Sequence, residues 1–174
     1  MLRVISALVL VLGSASPASQ RGAEAASNGV AVSTADGGVF LSPMIDIKSS
    51  QVVGFVRVVR AKPFGKKFAV MGYLRWKGWI LTAFGSATAG ENNVVNFEPG
   101  KVERTNCVGK SARFADCDYR QQFTVWLTPD EVNKYAYNDI LIVRVHGKDY
   151  AARADAIIPL SYINAVYQVE RKHE

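Results

Sequence analysis

The chain has 174 residues, enough for one domain with a tail. Lys and Arg number 21 against 15 Asp and Glu, a formal charge of +6, too modest an excess to make nucleic acid an expected partner. Two cysteines, with both histidines (His146 and His173) distant from them, argue against a zinc site.

The N-terminus carries Met1, Leu2 and Arg3, then an apolar run over 4–12 (VISALVLVL) that is of signal-peptide length and too short to span a bilayer. Ser16, Pro17 and Ala18 fit a cleavage site. Residues 1–18 therefore read as a secretory signal, with a mature start near Ser19, and the expected location is extracellular and oxidising. Residues 19–50 read as a flexible lead-in, because 20–38 are rich in Ala, Ser and Gly and bury too little to offset their ordering.

From residue 52 the composition changes. Residues 52–61 (VVGFVRVVRA) are dominated by β-branched side chains and predict a strand. Lys62, Pro63, Phe64, Gly65 and Lys66 predict a turn, and 68–74 predict the return strand. A turn at Trp76, Lys77 and Gly78 leads into Trp79, Ile80, Leu81, Thr82 and Ala83, an uncharged run too short for a buried helix. It stops at Phe84, Gly85 and Ser86, where small residues open a long polar loop. Further strands are predicted at 94–97, 122–127 and 139–145. Thr128 and Glu131 have capping-box spacing with Pro129 between them, which predicts one helical turn. The tail, 161–174, alternates Tyr162, Ile163, Val166, Tyr167 and Val169 with polar residues and suits either a helix or a strand.

Cys107 and Cys117 are the only cysteines, and in an exported chain this spacing predicts a local disulfide. The densest basic cluster holds Arg57, Arg60, Lys62, Lys66 and Lys67, with Arg75 and Lys77 on the next turn. Arg60, Lys62, Lys66 and Lys67 are candidate contacts for an anionic glycan, set against a solvated turn as the plainer explanation.

Two segments carry a family resemblance. Gly72, Leu74, Trp79, Ile80, Leu81, Thr82 and Ala83 stand in register with one motif, and Asn138, Asp139, Ile140, Ile142, Arg144 and Val145 with a second. Together they resemble the chymotrypsin-like serine proteases, in which the first strand delivers the catalytic histidine and the second the catalytic aspartate. The resemblance implies an all-β fold, a single six-stranded antiparallel barrel over 51–160, with Gly85 and Asp139 close together at its rim. It also implies that the activity is lost. Gly85 stands at the histidine position and offers no proton acceptor, Asp139 alone matches the triad, and nothing like the family's serine segment follows residue 160. The leading expectation is thus a secreted, non-catalytic homologue that acts by binding, with no cofactor and no metal. Two alternatives stand beside it: an unrelated small exported β-domain with a binding or structural role, and a fragment of an active endopeptidase. Without a second barrel, the face carrying Gly85 and Asp139 is expected to be apolar and to meet a protein partner, itself, or the folded-back tail.

Overall fold

The computed structural model describes residues 31–33, 38–49, 52–78, 83–108, 116–148 and 152–172. The signal segment, most of the region before residue 38, Trp79 to Thr82, and the loop between the cysteines lie outside the described residues.

Among the described residues eleven strands share one antiparallel sheet, where six were expected. In chain order they are β1 (Ala31–Ser33), β2 (Val39–Leu41), β3 (Ile45–Lys48), β4 (Val52–Ala61), β5 (Phe68–Gly78), β6 (Phe84–Ala89), β7 (Asn93–Val94), β8 (Asn96–Val108), β9 (Asp116–Leu127), β10 (Ile140–Gly147) and β11 (Arg153–Pro159). A 3-10 turn (Lys62–Phe64) joins β4 to β5, α1 (Pro129–Tyr135) precedes β10, and α2 (Leu160–Lys172) follows β11. The order across the sheet is β7-β6-β10-β11-β3-β4-β5-β9-β8, with β2 on β4 and β1 on β2. The fold is mostly β and the sheet curls into a half-barrel.

The expected strands at 52–61, 68–74, 122–127 and 139–145 are present, and the capping box at Thr128 and Glu131 is fully formed. Other elements differ from the reading. β2 and β3 fall in the predicted lead-in, where Phe40 and Leu41 are buried. Residues 84–89, read as the start of a loop, form β6. Its small side chains suit it to tight packing, and Phe84, Ala87 and Ala89 are its buried members. Cys107 and Cys117 do form a disulfide, and it ties the ends of β8 and β9, strands longer than the sequence suggested.

β3 connects the two layers of the sheet, β7, β6, β10 and β11 on one side and β4, β5, β9 and β8, with β2 and β1 beside β4, on the other. Ile45 and Asp46 pair with β4, and Ile47 and Lys48 pair with β11. Between the layers lies one core, built from the inward positions of period-2 strands such as Val52, Val56 and Val58, Leu74 and Trp76, and Leu141, Val143 and Val145. Where β6 passes β8 no backbone ladder forms along Phe84. Instead the carboxamide of Gln121, 2% exposed, accepts from the Phe84 N–H (2.9 Å) and donates to the carbonyls of Phe84 (2.9 Å) and Gly100 (3.1 Å). The Gly100 carbonyl is available because the ladder between β8 and β9 is interrupted there, between Pro99 and Val102.

The tail is a helix. α2 folds back on the half-barrel, seating Ala165, Val166 and Val169 against Phe40. It is held by a buried ion pair, Arg60 Nε to Glu170 Oε2 at 2.6 Å. Arg60 also donates to the Lys67 carbonyl (2.8 Å) and lies over the Phe68 ring.

Two stability predictions follow from these contacts. Gln121→Leu leaves two buried backbone groups and one half-buried carbonyl without partners, so urea unfolding should show a loss of about 3 kcal/mol, against less than about 0.5 kcal/mol for Gln122→Leu beside it. Glu170→Ala strands the Arg60 guanidinium and should cost about 3 kcal/mol, whereas the double change Arg60→Met with Glu170→Met should recover most of that loss.

Candidate functional site

The register of β6 against β10 decides what happens to the two positions that resemble a protease triad. Ser86 lies opposite His146, Thr88 opposite Arg144 and Ala89 opposite Val143. Gly85 therefore sits at the far end of β10, whereas Asp139 immediately precedes its beginning. Seven residues of extended chain separate His146 from Asp139, about 24 Å at the usual strand rise of about 3.4 Å. The structure does not bring Gly85 and Asp139 together. At Gly85 an added Cβ would meet the Lys148 side chain at 3.4 Å, on an exposed surface.

Asp139 has a local role. Asn138 (φ 48°) and Asp139 (φ 60°) are both left-handed, between Tyr137 and Ile140, whose backbones bond reciprocally at 2.9 and 3.1 Å. Two consecutive positive φ values between paired residues describe a type I′ hairpin turn, and Asn and Asp are the non-glycine residues that best tolerate it. The Asp139 carbonyl also accepts from the Leu160 N–H (2.9 Å), anchoring the start of α2.

Among the described residues, one hydroxyl touches an imidazole: Thr88 Oγ1 lies 3.1 Å from His146 Nε2. Burial pushes the His146 pKa below its ordinary value, Arg153 and Arg144 push the same way, and Asp155 opposes them. Together these influences favour the neutral imidazole. Nearby, Asp155 binds the Arg153 guanidinium through both oxygens, at 2.7 and 2.5 Å.

The basic cluster separates into unlike members. Arg60 is buried against Glu170 and is corrected from the candidate glycan contacts. On β4 the positions Val56, Val58 and Arg60 share the inward face, so strand alternation turns Arg60 inward. Arg57 has its Nε buried without a partner, and burial lowers its pKa. Arg75 bonds Asp118 (3.0 Å), and Lys77 lies 3.9 Å from the same carboxylate. Lys62, Lys66 and Lys67 remain exposed around the turn after β4.

Polar groups converge at a different place, which the sequence reading did not single out. A pocket of about 380 Å³ opens where the turn after β6 meets the end of α1 and the start of β10. Its floor includes Gly90, whose φ of +63° and position leave no room for a side chain, since a Cβ would lie 2.8 Å from the Tyr135 carbonyl oxygen. Arg144 pins that turn by donating to the carbonyls of Gly90 and Glu91, the latter at 3.1 Å. Tyr135, Tyr137, Ile140 and Ile142 line it together with Glu91, Asn93, Lys134 and Arg144. The capping box fixes α1 and so sets Lys134, whose ammonium lies over the Tyr135 ring. The only sequence signals are the isolated Gly90 and the consecutive Asn138 and Asp139.

No group of three or more His, Cys, Asp or Glu able to hold a metal occurs among the described residues, and no described helix is long and apolar enough to cross a membrane. Compared with protein-family models, characterised proteins and solved structures, the chain matches none.

If Asp139 serves the turn, Asp139→Gly should keep thermal stability within about 1 kcal/mol or raise it, and Asp139→Val should lower it by about 1–2 kcal/mol, read by calorimetry.

Proposed function

We propose that this chain is a non-catalytic binding module, exported under its N-terminal apolar segment. The observation that carries the reading is the register of β6 on β10, which sets the two positions where acid–base chemistry was expected about 24 Å apart at the usual strand rise. The polar side chains that do converge, at the pocket beside α1, include a carboxylate, a carboxamide, an ammonium and a guanidinium. They can hold a ligand, but they include no nucleophile with an adjacent base.

A first barrel of the chymotrypsin type is the finer form of this proposal. The order of the two motif-bearing segments and the antiparallel pairing of β6 with β10 support it. The register weighs against it, because Gly90 and Glu91 take the end of β10 that Gly85 would need to occupy. An unrelated β-domain with the same binding role fits the register without that difficulty, and we favour it. The disulfide across β8 and β9 supports an oxidising location.

Assay of the purified mature chain against peptide and ester substrates, with a serine-directed phosphonate as a covalent probe, tests the reading. No turnover and no adduct are expected. Turnover that disappears in His146→Ala or Thr88→Ala would overturn it, since those residues form the one hydroxyl–imidazole contact described.

A further inference from the structure

We propose that the pocket beside α1 takes a small organic carboxylate with an apolar body, an inference that rests on the binding-module reading. Its volume, about 380 Å³, falls within the range of about 300–1,000 Å³ typical of small-ligand sites. A buried charge decides the ligand class. Arg144 lines the pocket, and its side chain is only 17% exposed. Its Nη1 donates to the carbonyls of Gly90 and Glu91, both neutral groups. The carboxylate it pairs with, Asp155, stands 3.9 Å from Nε and already binds Arg153 through both oxygens. Nη2 makes no hydrogen bond among the described residues. A guanidinium withdrawn from water keeps its charge, and neutral carbonyls compensate its desolvation only in part. An anion supplies what is missing, through charge-assisted bonds roughly twice as strong as neutral ones.

The remaining charges set the size of that anion. Lys134 and Arg144 are cations and Glu91 is a carboxylate, so the lining has an excess of one positive charge. A monoanion matches the excess. A phosphate monoester, about −1.5 to −2 at neutral pH, exceeds it and is repelled more strongly by Glu91. Phosphate sites also commonly rest on several free backbone N–H groups. Here those of Gly90 and Tyr137 are engaged by the carbonyls of Ile142 (3.0 Å) and Ile140 (2.9 Å). Lys134 and Glu91 are exposed and screened by water, which leaves Arg144 as the principal contact.

The apolar body follows from the neighbours of Arg144. Ile140 and Ile142 share its face of β10 at alternate positions, and both line the pocket, as do Tyr135 and Tyr137. Two steps of strand rise set Arg144 about 7 Å from Ile142, a span that an aryl acid or a medium-chain fatty acid covers. The guanidinium is also held before any ligand arrives, because two carbonyls fix Nη1. A preset donor avoids part of the ordering cost of association.

The test is NMR titration of the folded mature chain with phenylacetate and with octanoate. Phenylacetamide and octanamide keep the apolar bodies without the charge, and inorganic phosphate has the charge without a body. At least one acid should shift the backbone N–H signals of Gly90, Glu91 and Tyr137. Its carboxamide should bind at least about tenfold more weakly, and phosphate should leave those signals unmoved. Lys134→Glu should weaken acid binding about fivefold and Glu91→Gln strengthen it about twofold, while Lys66→Glu, in the turn after β4, should have no effect. Arg144→Lys keeps the charge without the planar fork and should weaken binding about tenfold, with a cooperative melt showing that the variant folds. Equal binding of acid and carboxamide, acid binding indifferent to both Lys134→Glu and Arg144→Lys, phosphate binding tighter than either acid, or no binding of either acid would overturn the inference. In each of those cases the carboxylate assignment fails and the binding module stands; ester hydrolysis dependent on His146 would instead remove the binding-module reading itself.

Discussion

The Gln121 carboxamide stands where a neighbouring strand would stand, and the arrangement of both layers depends on it. Phe84 begins β6 with its backbone N–H and C=O facing the seam, and a single side chain satisfies both. Without that amide, the start of β6 would carry buried polar groups with no partner, a cost comparable to a substantial fraction of a small domain's stability. The Phe84 ring then packs edge-on to Trp76, and Trp76 stacks on Tyr119 of β9, so the same contact fixes the aromatic centre of the core. β3 makes the other connection, with only two residues on each layer. A half-barrel joined by so little backbone on one side needs a specific clasp on the other.

The consequences reach the pocket. β6 carries the seam at Phe84 and ends at the Gly90 turn, five residues beyond Gly85. Moving β6 along β10 by one pair would exchange its inward and outward faces, exposing Ala87 and Ala89 and burying Ser86 and Thr88. The position of Gly90 under Tyr135 is therefore set by the core alternation of β6 and by Gln121 together. Arg144 reinforces it from the outer face by bonding the carbonyls that the turn leaves unpaired. α2 contributes at the other side of the molecule: its apolar stripe covers Phe40, and the Arg60–Glu170 pair fixes its orientation. A buried pair of this kind is a weak source of net stability but discriminates strongly against misplaced packing.

Local features of this fold were legible in the sequence. β4, β5 and β10 announce themselves by runs of β-branched and other apolar residues, the cysteines by their spacing, and α1 by Thr128, Pro129 and Glu131. Each depends on residues within a turn or two of one another. Arg60 was also readable, because a strand that buries Val56 and Val58 must bury the residue two further on. What hid it was the company of Lys62, Lys66 and Lys67 in sequence, which lie in the turn after β4 and not on the strand. β6 was less visible. Its residues (FGSATA) have low strand propensity and earn their place by fitting under the core, a tertiary effect that no local pattern encodes.

Register was the least legible quantity, and it carries most of the functional argument. A motif match fixes which residues neighbour one another along a strand but not which stand opposite. Two segments can each match a family pattern while the pairing between them slides by several residues. Here it slides so that Glu91, six residues after Gly85, comes to the end of β10 that Asp139 marks. Asp139 itself satisfies a demand that has nothing to do with acid–base chemistry. A type I′ turn needs two left-handed residues, and Asn-Asp meets that need at a cost that glycine would avoid. Such a turn holds Tyr137 and Ile140 in fixed register at the mouth of the pocket. The same Asn-Asp-Ile that suggests a catalytic strand thus becomes, once the pairing is known, a rigid corner of the pocket.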